Sequence, residues 1–208
     1  MASGFLKGAL ASAFMLIGFD VAAIMLSVVP NTQSVNPGDV ISTDILISNL
    51  APGGAPSLSV FDIDLTFNPG ILAIDTTDSD LDLVIDSVTL DPTGQLDLFG
   101  IGLNPVFAGL TSASTLNLFE LSFDLPSDLD FLQAESFLLA SIDFTALASG
   151  TSPIGISINT LGDSLGFPLT ASIESGSVTV SPIPIVPSLW LLLSGLATLA
   201  AGRIRKAR

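Results

Sequence analysis

From Ile24 to Val180 the apolar residues fall mostly at every second position, the spacing of strands that bury one face and wet the other. Phe61-Asp62-Ile63-Asp64-Leu65-Thr66-Phe67 alternates without a break, which predicts Phe61, Ile63, Leu65 and Phe67 in a core and Asp62, Asp64 and Thr66 in water. Less regular segments of the same kind are Leu26–Val29, Val40–Leu50, Ile71–Ile74, Leu83–Leu90, Leu96–Leu103, Thr115–Phe123, Ser136–Leu147, Ile154–Thr160 and Ser177–Val180. Turn-forming runs separate them: Asn36-Pro37-Gly38-Asp39, Ala51-Pro52-Gly53-Gly54, Asn68-Pro69-Gly70, Asp91-Pro92-Thr93-Gly94 and Glu174-Ser175-Gly176. About nine or ten short strands spaced by turns predict an all-β sandwich. One helical turn interrupts them over Ser127–Gln133, with Ser127 as its N-cap and Asp130 three residues on.

The pattern changes at both ends, which divides the chain into residues 1–23, 24–180 and 181–208. Lys7 followed by the apolar run Gly8 to Phe19 reads as a secretory signal peptide, with Val21 and Ala23 as small residues before a cut after Ala23. An uncleaved N-terminal anchor is the alternative. At the other end Pro182, Pro184 and Pro187 precede an uncharged run that reaches Gly202, followed by Arg203, Arg205, Lys206 and Arg208. At ~1.5 Å per residue that run roughly spans a bilayer core, with Trp190 near one interface and the cations on the cytoplasmic side. The competing reading is a short core helix.

Leu189-Trp190-Leu191-Leu192, Ser194-Gly195-Leu196 and Arg203-Ile204-Arg205-Lys206 behind the prolines resemble the bacterial PEP-CTERM sorting signal, in its form lacking the glutamate between prolines. The register of the three prolines before Leu189-Trp190 differs from the usual one. The resemblance implies processing by an exosortase and delivery to the cell surface or an exopolysaccharide matrix, without fixing the cut.

Charge sharpens this picture. All 20 acidic residues lie between Asp20 and Glu174, and between Ile24 and Val180 there is no Lys or Arg. Such a domain has nothing with which to neutralise phosphates, so nucleic acid is excluded as a partner. An anionic polysaccharide would need bridging divalent cations. The sequence has Cys 0, His 0 and Tyr 0, so disulfides, thiol chemistry, histidine zinc sites and nucleophile–histidine triads are all excluded. Carboxylate pairs such as Asp62 and Asp64 read as the wet face of a strand rather than a glycosidase pair. The domain is therefore expected not to be an enzyme.

A second resemblance runs through the exported part. Leu26-Ser27-Val28-Val29-Pro30, Val35-Asn36-Pro37-Gly38-Asp39 and Phe61 through Leu72 are similar to the opening of a cohesin-type domain. Leu147-Ala148-Ser149-Gly150-Thr151-Ser152 and Gly176-Ser177-Val178-Thr179-Val180 fit its close. The resemblance implies a cohesin-like, nine-stranded jelly-roll sandwich, related in architecture to carbohydrate-binding modules. In cellulosomes such domains bind dockerins through one sheet face; this sequence does not map that face.

Calcium is the one cofactor the residues invite. Asp75, Asp78, Asp80 and Asp82, with Asp86 beyond, space carboxylates two or three apart, as a hard cation would use them. The run is not an EF-hand: Leu83 stands where that loop needs Gly, and Thr89 where it needs Glu. A solvated acidic loop is the alternative. Asn159 to Gly166, with Asp163, reads as a turn. Sugar binding usually uses Trp or Tyr platforms, and Ile24–Val180 has neither; Phe99, Phe107 and Phe167 sit in its less regular stretches. The expected role is an exported, non-enzymatic surface or matrix protein, held in the membrane by its C-terminal helix until processed. The alternative is a recognition module for a dockerin-like protein or a polysaccharide.

Overall fold

The computed structural model describes residues 23–182. Apart from Ala23, Ser181 and Pro182, the export and sorting segments lie outside the described residues. Among the described residues no helix is long and apolar enough to cross a membrane.

The domain is a two-sheet sandwich. In chain order its strands are β1 (Met25–Val29), β2 (Thr32–Val35), β3 (Val40–Ser48), β4 (Leu58–Thr66), β5 (Leu72–Ile74), β6 (Val88–Leu90), β7 (Val106–Ser112) and β8 (Thr115–Leu121). After a helix α1 (Pro126–Leu132) come β9 (Phe137–Ala146), β10 (Gly150–Asp163), β11 (Ser172–Glu174) and β12 (Gly176–Val180). One sheet runs β11-β1-β3-β9-β5, with β6 also on β9; the other runs β2-β12-β10-β4-β8-β7. The strand-rich expectation holds. The count of twelve exceeds it because Thr32–Val35, Val106–Ser112 and Ser172–Glu174 also form strands, while Leu96–Leu103 forms none. Three breaks in the chain each cut a pair of successive strands apart: β1 from β2, β11 from β12 and β5 from β6.

Two of the cuts close the sandwich. β1 passes into β2 and β11 into β12, each pair stepping from one sheet to the other, and the two crossings run parallel to one another. They pack so closely that a Cβ on Gly176 would lie 2.6 Å from Val28 Cγ1. The third cut makes the acidic loop. Leu72–Ile74 pair with Phe144–Ala146 and Val88–Leu90 with Ala140–Ile142, so β5 and β6 occupy one edge of β9 with residues 75–87 looped out between them. That excursion reaches the other sheet: Ile85 N donates to Ala108 O at 3.1 Å, and Ala108 N to Leu83 O at 3.0 Å. Leu83–Leu90 is therefore not one strand, since its first half serves β7 and its second half β9.

Between the sheets lies a layer of alternate side chains. Phe61, Ile63 and Leu65 of β4, with Leu116 and Leu118 of β8, meet Leu26 of β1, Ile45 and Ile47 of β3 and Ile142 and Phe144 of β9. Phe67 meets Phe144 edge to face with ring centroids 5.2 Å apart.

Two local readings need correction. Leu96–Leu103 forms no strand, because Gly100 and Gly102 take φ values of +62° and +67° and turn the backbone onto the Asp97 carboxylate. Only Leu96 of that run reaches the core. The helix begins with Pro126 in its first turn and Leu125 as N-cap, with no side-chain cap; Ser127 lies inside it. Asp130 instead accepts from Ser57 Oγ at 2.6 Å and Ser164 Oγ at 2.8 Å, tying α1 to the start of β4 and the turn after β10.

Phe144 is fully buried whereas Phe131 is 74% exposed. Phe144→Ala is expected to lower the unfolding free energy by about 3–5 kcal/mol and Phe131→Ala by less than about 0.5 kcal/mol. Urea denaturation of the two variants checks the assignment of inside and outside.

Candidate functional site

The alternation that sends Phe61, Ile63 and Leu65 inward sends Val60, Asp62, Asp64 and Thr66 to the outer face of the β10-β4-β8-β7 sheet. Register then fixes their neighbours. Asn117 of β8 lies opposite Asp64 and Phe119 opposite Asp62, while β10 sets Ser157 opposite Asp64 and Thr160 opposite Asp62. Asn117 Nδ2 donates to Asp62 Oδ1 at 2.7 Å and to Asp64 Oδ1 at 2.9 Å; Asn159 Nδ2 adds a third bond to Asp62 Oδ1 at 3.1 Å. Two like charges two residues apart on one strand face are thus held by amide donors rather than cations. Asp62 and Asp64 are the wet-face residues the alternation predicts; their coupling through Asn117 is not legible in one strand alone.

Beside this polar half lies an apolar one. Phe107 of β7 pairs with Phe119 of β8, and the Phe107 ring covers Gly109, where an added Cβ would come within 2.9 Å of it. The outward positions of β10 are small, namely Gly155, Ser157, Thr160 and Gly162, so nothing bulky rises along the β10 margin. Next to Asn159 a shallow recess of about 320 Å³ is lined by Val60, Gly162 and Leu169. The face therefore offers carboxylate and amide groups at its centre and half-buried phenyl rings towards β7. Chemically it suits a partner that brings donors or cations together with an apolar side chain.

The acidic loop rearranges the predicted calcium set. One carboxylate oxygen each from Asp78, Asp80 and Asp86 lies within 4.8 Å of the others, an arrangement able to chelate a hard cation. Asp75 and Asp82 are not in this trio. Asp75 accepts from Thr77 N at 3.0 Å and Thr77 Oγ1 at 2.7 Å, bonds that hold its carboxyl below the usual range. Asp82 caps Val84 N at 2.8 Å. Asp86, placed beyond the run in the sequence, stands opposite Asp78 because the loop doubles back, and Ser79 N binds its Oδ1 at 3.0 Å. Lost hydration, then the neighbouring Asp82, pushes the Asp80 carboxyl above its ordinary value.

The remaining predicted positions are quickly placed. Asp163 ends β10 and accepts from Leu165 N and Phe167 N at 2.9 and 2.8 Å, a turn as expected. Phe99 and Phe167 are exposed, and Phe107 is half-buried on β7. Ala23 is exposed and its carbonyl accepts from Asn49 Nδ2 at 3.0 Å; Pro182 is exposed. Pro184, Pro187, Trp190, Ser194, Gly195, Arg203, Arg205 and Lys206 lie outside the described residues.

No protein-family model matches the chain, and the comparison with curated proteins found no match. Solved structures are. The sixth cohesin of scaffoldin B from Acetivibrio cellulolyticus, in complex with a mutant Cel5 dockerin, superposes with a TM-score of 0.55 at 19% identity, covering 77% of this chain and 100% of that one. The cohesin of the Coh-OlpC–Doc435 complex from Clostridium thermocellum gives 0.54 at 12% identity, covering 77% and 95%. A non-cellulosomal cohesin from the archaeon Archaeoglobus fulgidus gives 0.54 at 10% identity, covering 77% and 92%. The chain has the cohesin-type fold, as the resemblance implied, and the all-β sandwich its strand pattern predicted.

Asn117→Ala would leave Asp62 and Asp64 side by side without their shared donor. It is expected to cost about 1–2 kcal/mol, more than Asn159→Ala, which removes one peripheral bond. Urea midpoints at unchanged m check this, and equal small effects would mean that Asn117 does not hold the pair.

Proposed function

We propose that residues 24–180 form a non-enzymatic protein-recognition module that works outside the cytoplasm and engages its partner through the outer face of the β10-β4-β8-β7 sheet. The observation that carries this reading is the Asp62–Asn117–Asp64 network set beside Phe119 and Phe107 on one sheet face. Fixed acceptors at the centre and rings at one side are what a protein interface uses for register and for affinity. The cohesin-type fold supports it, because solved cohesins of this shape are found in complexes with dockerins. A dockerin-like protein is accordingly the partner class we propose. Polysaccharide is disfavoured by the face itself, whose rings are half-buried phenyls and whose charges are negative.

Residues 1–23 act as the export signal and residues 181–208 as the sorting and anchoring segment. An exosortase-type enzyme releases the module to the surface or matrix. These roles rest on the sequence patterns at the two ends.

The test is capture of the partner by the full chain, produced in cells that carry its sorting machinery. Phe119→Arg and Asp64→Arg alter the proposed face, and Asp143→Arg alters an exposed position on the other sheet. A saturable protein partner should bind wild type and Asp143→Arg alike and bind each face variant at least about tenfold more weakly. Equal loss in all three variants would contradict the face. Retention in polysaccharide with no saturable protein partner would instead favour a structural matrix role.

A further inference from the structure

β8 breaks its own pattern at one position. Its inward residues read Leu116, Leu118, Glu120, so a carboxylate stands where the alternation calls for an apolar side chain. Glu120 is 4% exposed. Its Oε1 accepts from Asn104 Nδ2 at 3.0 Å, while its Oε2 is buried without a hydrogen-bond partner among the described residues. In such a place an ionised carboxylate is far less stable than a neutral one.

No counter-charge offsets this. Glu120 pairs with Phe61 of β4 and Val106 of β7, and neither β6 nor β7 has a charged residue. Asp62 and Asp64 of β4 lie on the opposite face of the sheet. The segment between β6 and β7 brings Asp91 and Asp97 to the same recess as Glu120. Each is held by two backbone N–H groups, those of Gln95 and Leu96 for Asp91 and of Ile101 and Gly102 for Asp97. Asp124, just beyond β8, takes Leu98 N at 2.7 Å. Every charged group near Glu120 is therefore an acid, and no Lys or Arg stands between Ile24 and Val180.

Asn104 couples Glu120 to that segment. Its Nδ2 donates also to Leu96 O at 2.8 Å, and its Oδ1 accepts from Phe123 N at 3.0 Å. One amide thus ties both ends of residues 96–104 to β8 and to the residue that follows Ser122. We propose that Glu120 is a proton-operated latch on residues 96–104: neutral, it stays buried and anchors Asn104; ionised, it turns out to water and releases the segment. Burial, opposed by the Asn104 bond and reinforced by Asp91 and Asp97, raises its carboxyl from the ordinary 4.5 to about 7. The closed domain thus holds a proton that a solvated Glu120 gives up near 4.5. Closure is favoured at low pH and loses stability as pH rises from 4.5 through about 7. The segment carries Phe99, Ile101 and Leu103, exposed at 58%, 62% and 68%, and leads into β7, the edge strand of its sheet.

The test is chymotryptic cleavage at Phe99 in the full chain, with the rate at each pH normalised to a denatured substrate, alongside the urea midpoint. Cleavage of the wild type should be at least about tenfold faster at about pH 8.5 than at about pH 5.5, and its urea midpoint should be lower at the higher pH. Glu120→Gln keeps the shape and the Asn104 partner without the charge. It should be cleaved slowly at both pH values, with a midpoint at the higher pH equal to or above that of the wild type. Asn104→Ala cuts the link and should be cleaved fast at both. Wild-type cleavage that is the same at both pH values overturns the latch, even where the midpoint still moves with pH. So does a Glu120→Gln chain that keeps the wild-type pH dependence.

Discussion

A sandwich that holds nearly all of the chain's carboxylates and no cationic side chain has no salt bridge available to it. Everything negative must be met by a neutral donor, by water or by an ion from outside. Most of the aspartates solve this locally, by taking backbone N–H groups in turns. Asp39 binds Asn36 N, Asp78 binds Leu81 N and Leu83 N, and Asp91, Asp97 and Asp163 each take two. These bonds are charge-assisted, which compensates for short turns that leave N–H groups unpaired by strands. The same residues that make the domain acidic therefore also define where its strands stop.

Where no backbone N–H is free, side-chain amides take its place. In the middle of β4 the ladder has already used the peptide groups, and Asp62 and Asp64 take side-chain amides from Asn117 and Asn159. That arrangement fixes their oxygens on the outer face of the sheet. On the inner side of β8 no donor reaches Glu120 Oε2 at all. The amide-held carboxylates of β4 and the unpartnered oxygen of Glu120 on β8 are thus two consequences of one shortage, on opposite faces of the same sheet.

Much of the fold was legible because β4, β3 and β9 alternate cleanly. What alternation could not reveal was which runs turn. Leu96–Leu103 carries as many apolar residues as a real strand, yet Gly100 and Gly102 at positive φ bend it onto Asp97. Val106–Ser112 was missed as a strand because Val106-Phe107-Ala108-Gly109 alternates poorly; Ala108 alone reaches the core. Thr32–Val35 is too polar to signal itself and owes its place to parallel pairing with β12. The acidic trio was half legible: Asp78 and Asp80 belong to the obvious run, but Asp86, beyond it, joins them only because the loop doubles back. Glu120 did leave a signal, as a charged residue at inward parity in Thr115–Phe123.

Unfolding free energy against monovalent salt tests the shortage of cations most directly. At neutral pH, with calcium chelated, raising salt from about 0.01 to 0.2 M shortens the screening length from about 30 Å to under 10 Å. Repulsion among carboxylates falls while no ion pair is lost within the domain, so the urea midpoint should rise steadily. A midpoint that falls with salt would mean that attractive charge pairs hold the domain together, and would contradict the neutral-donor basis of the turns and the face.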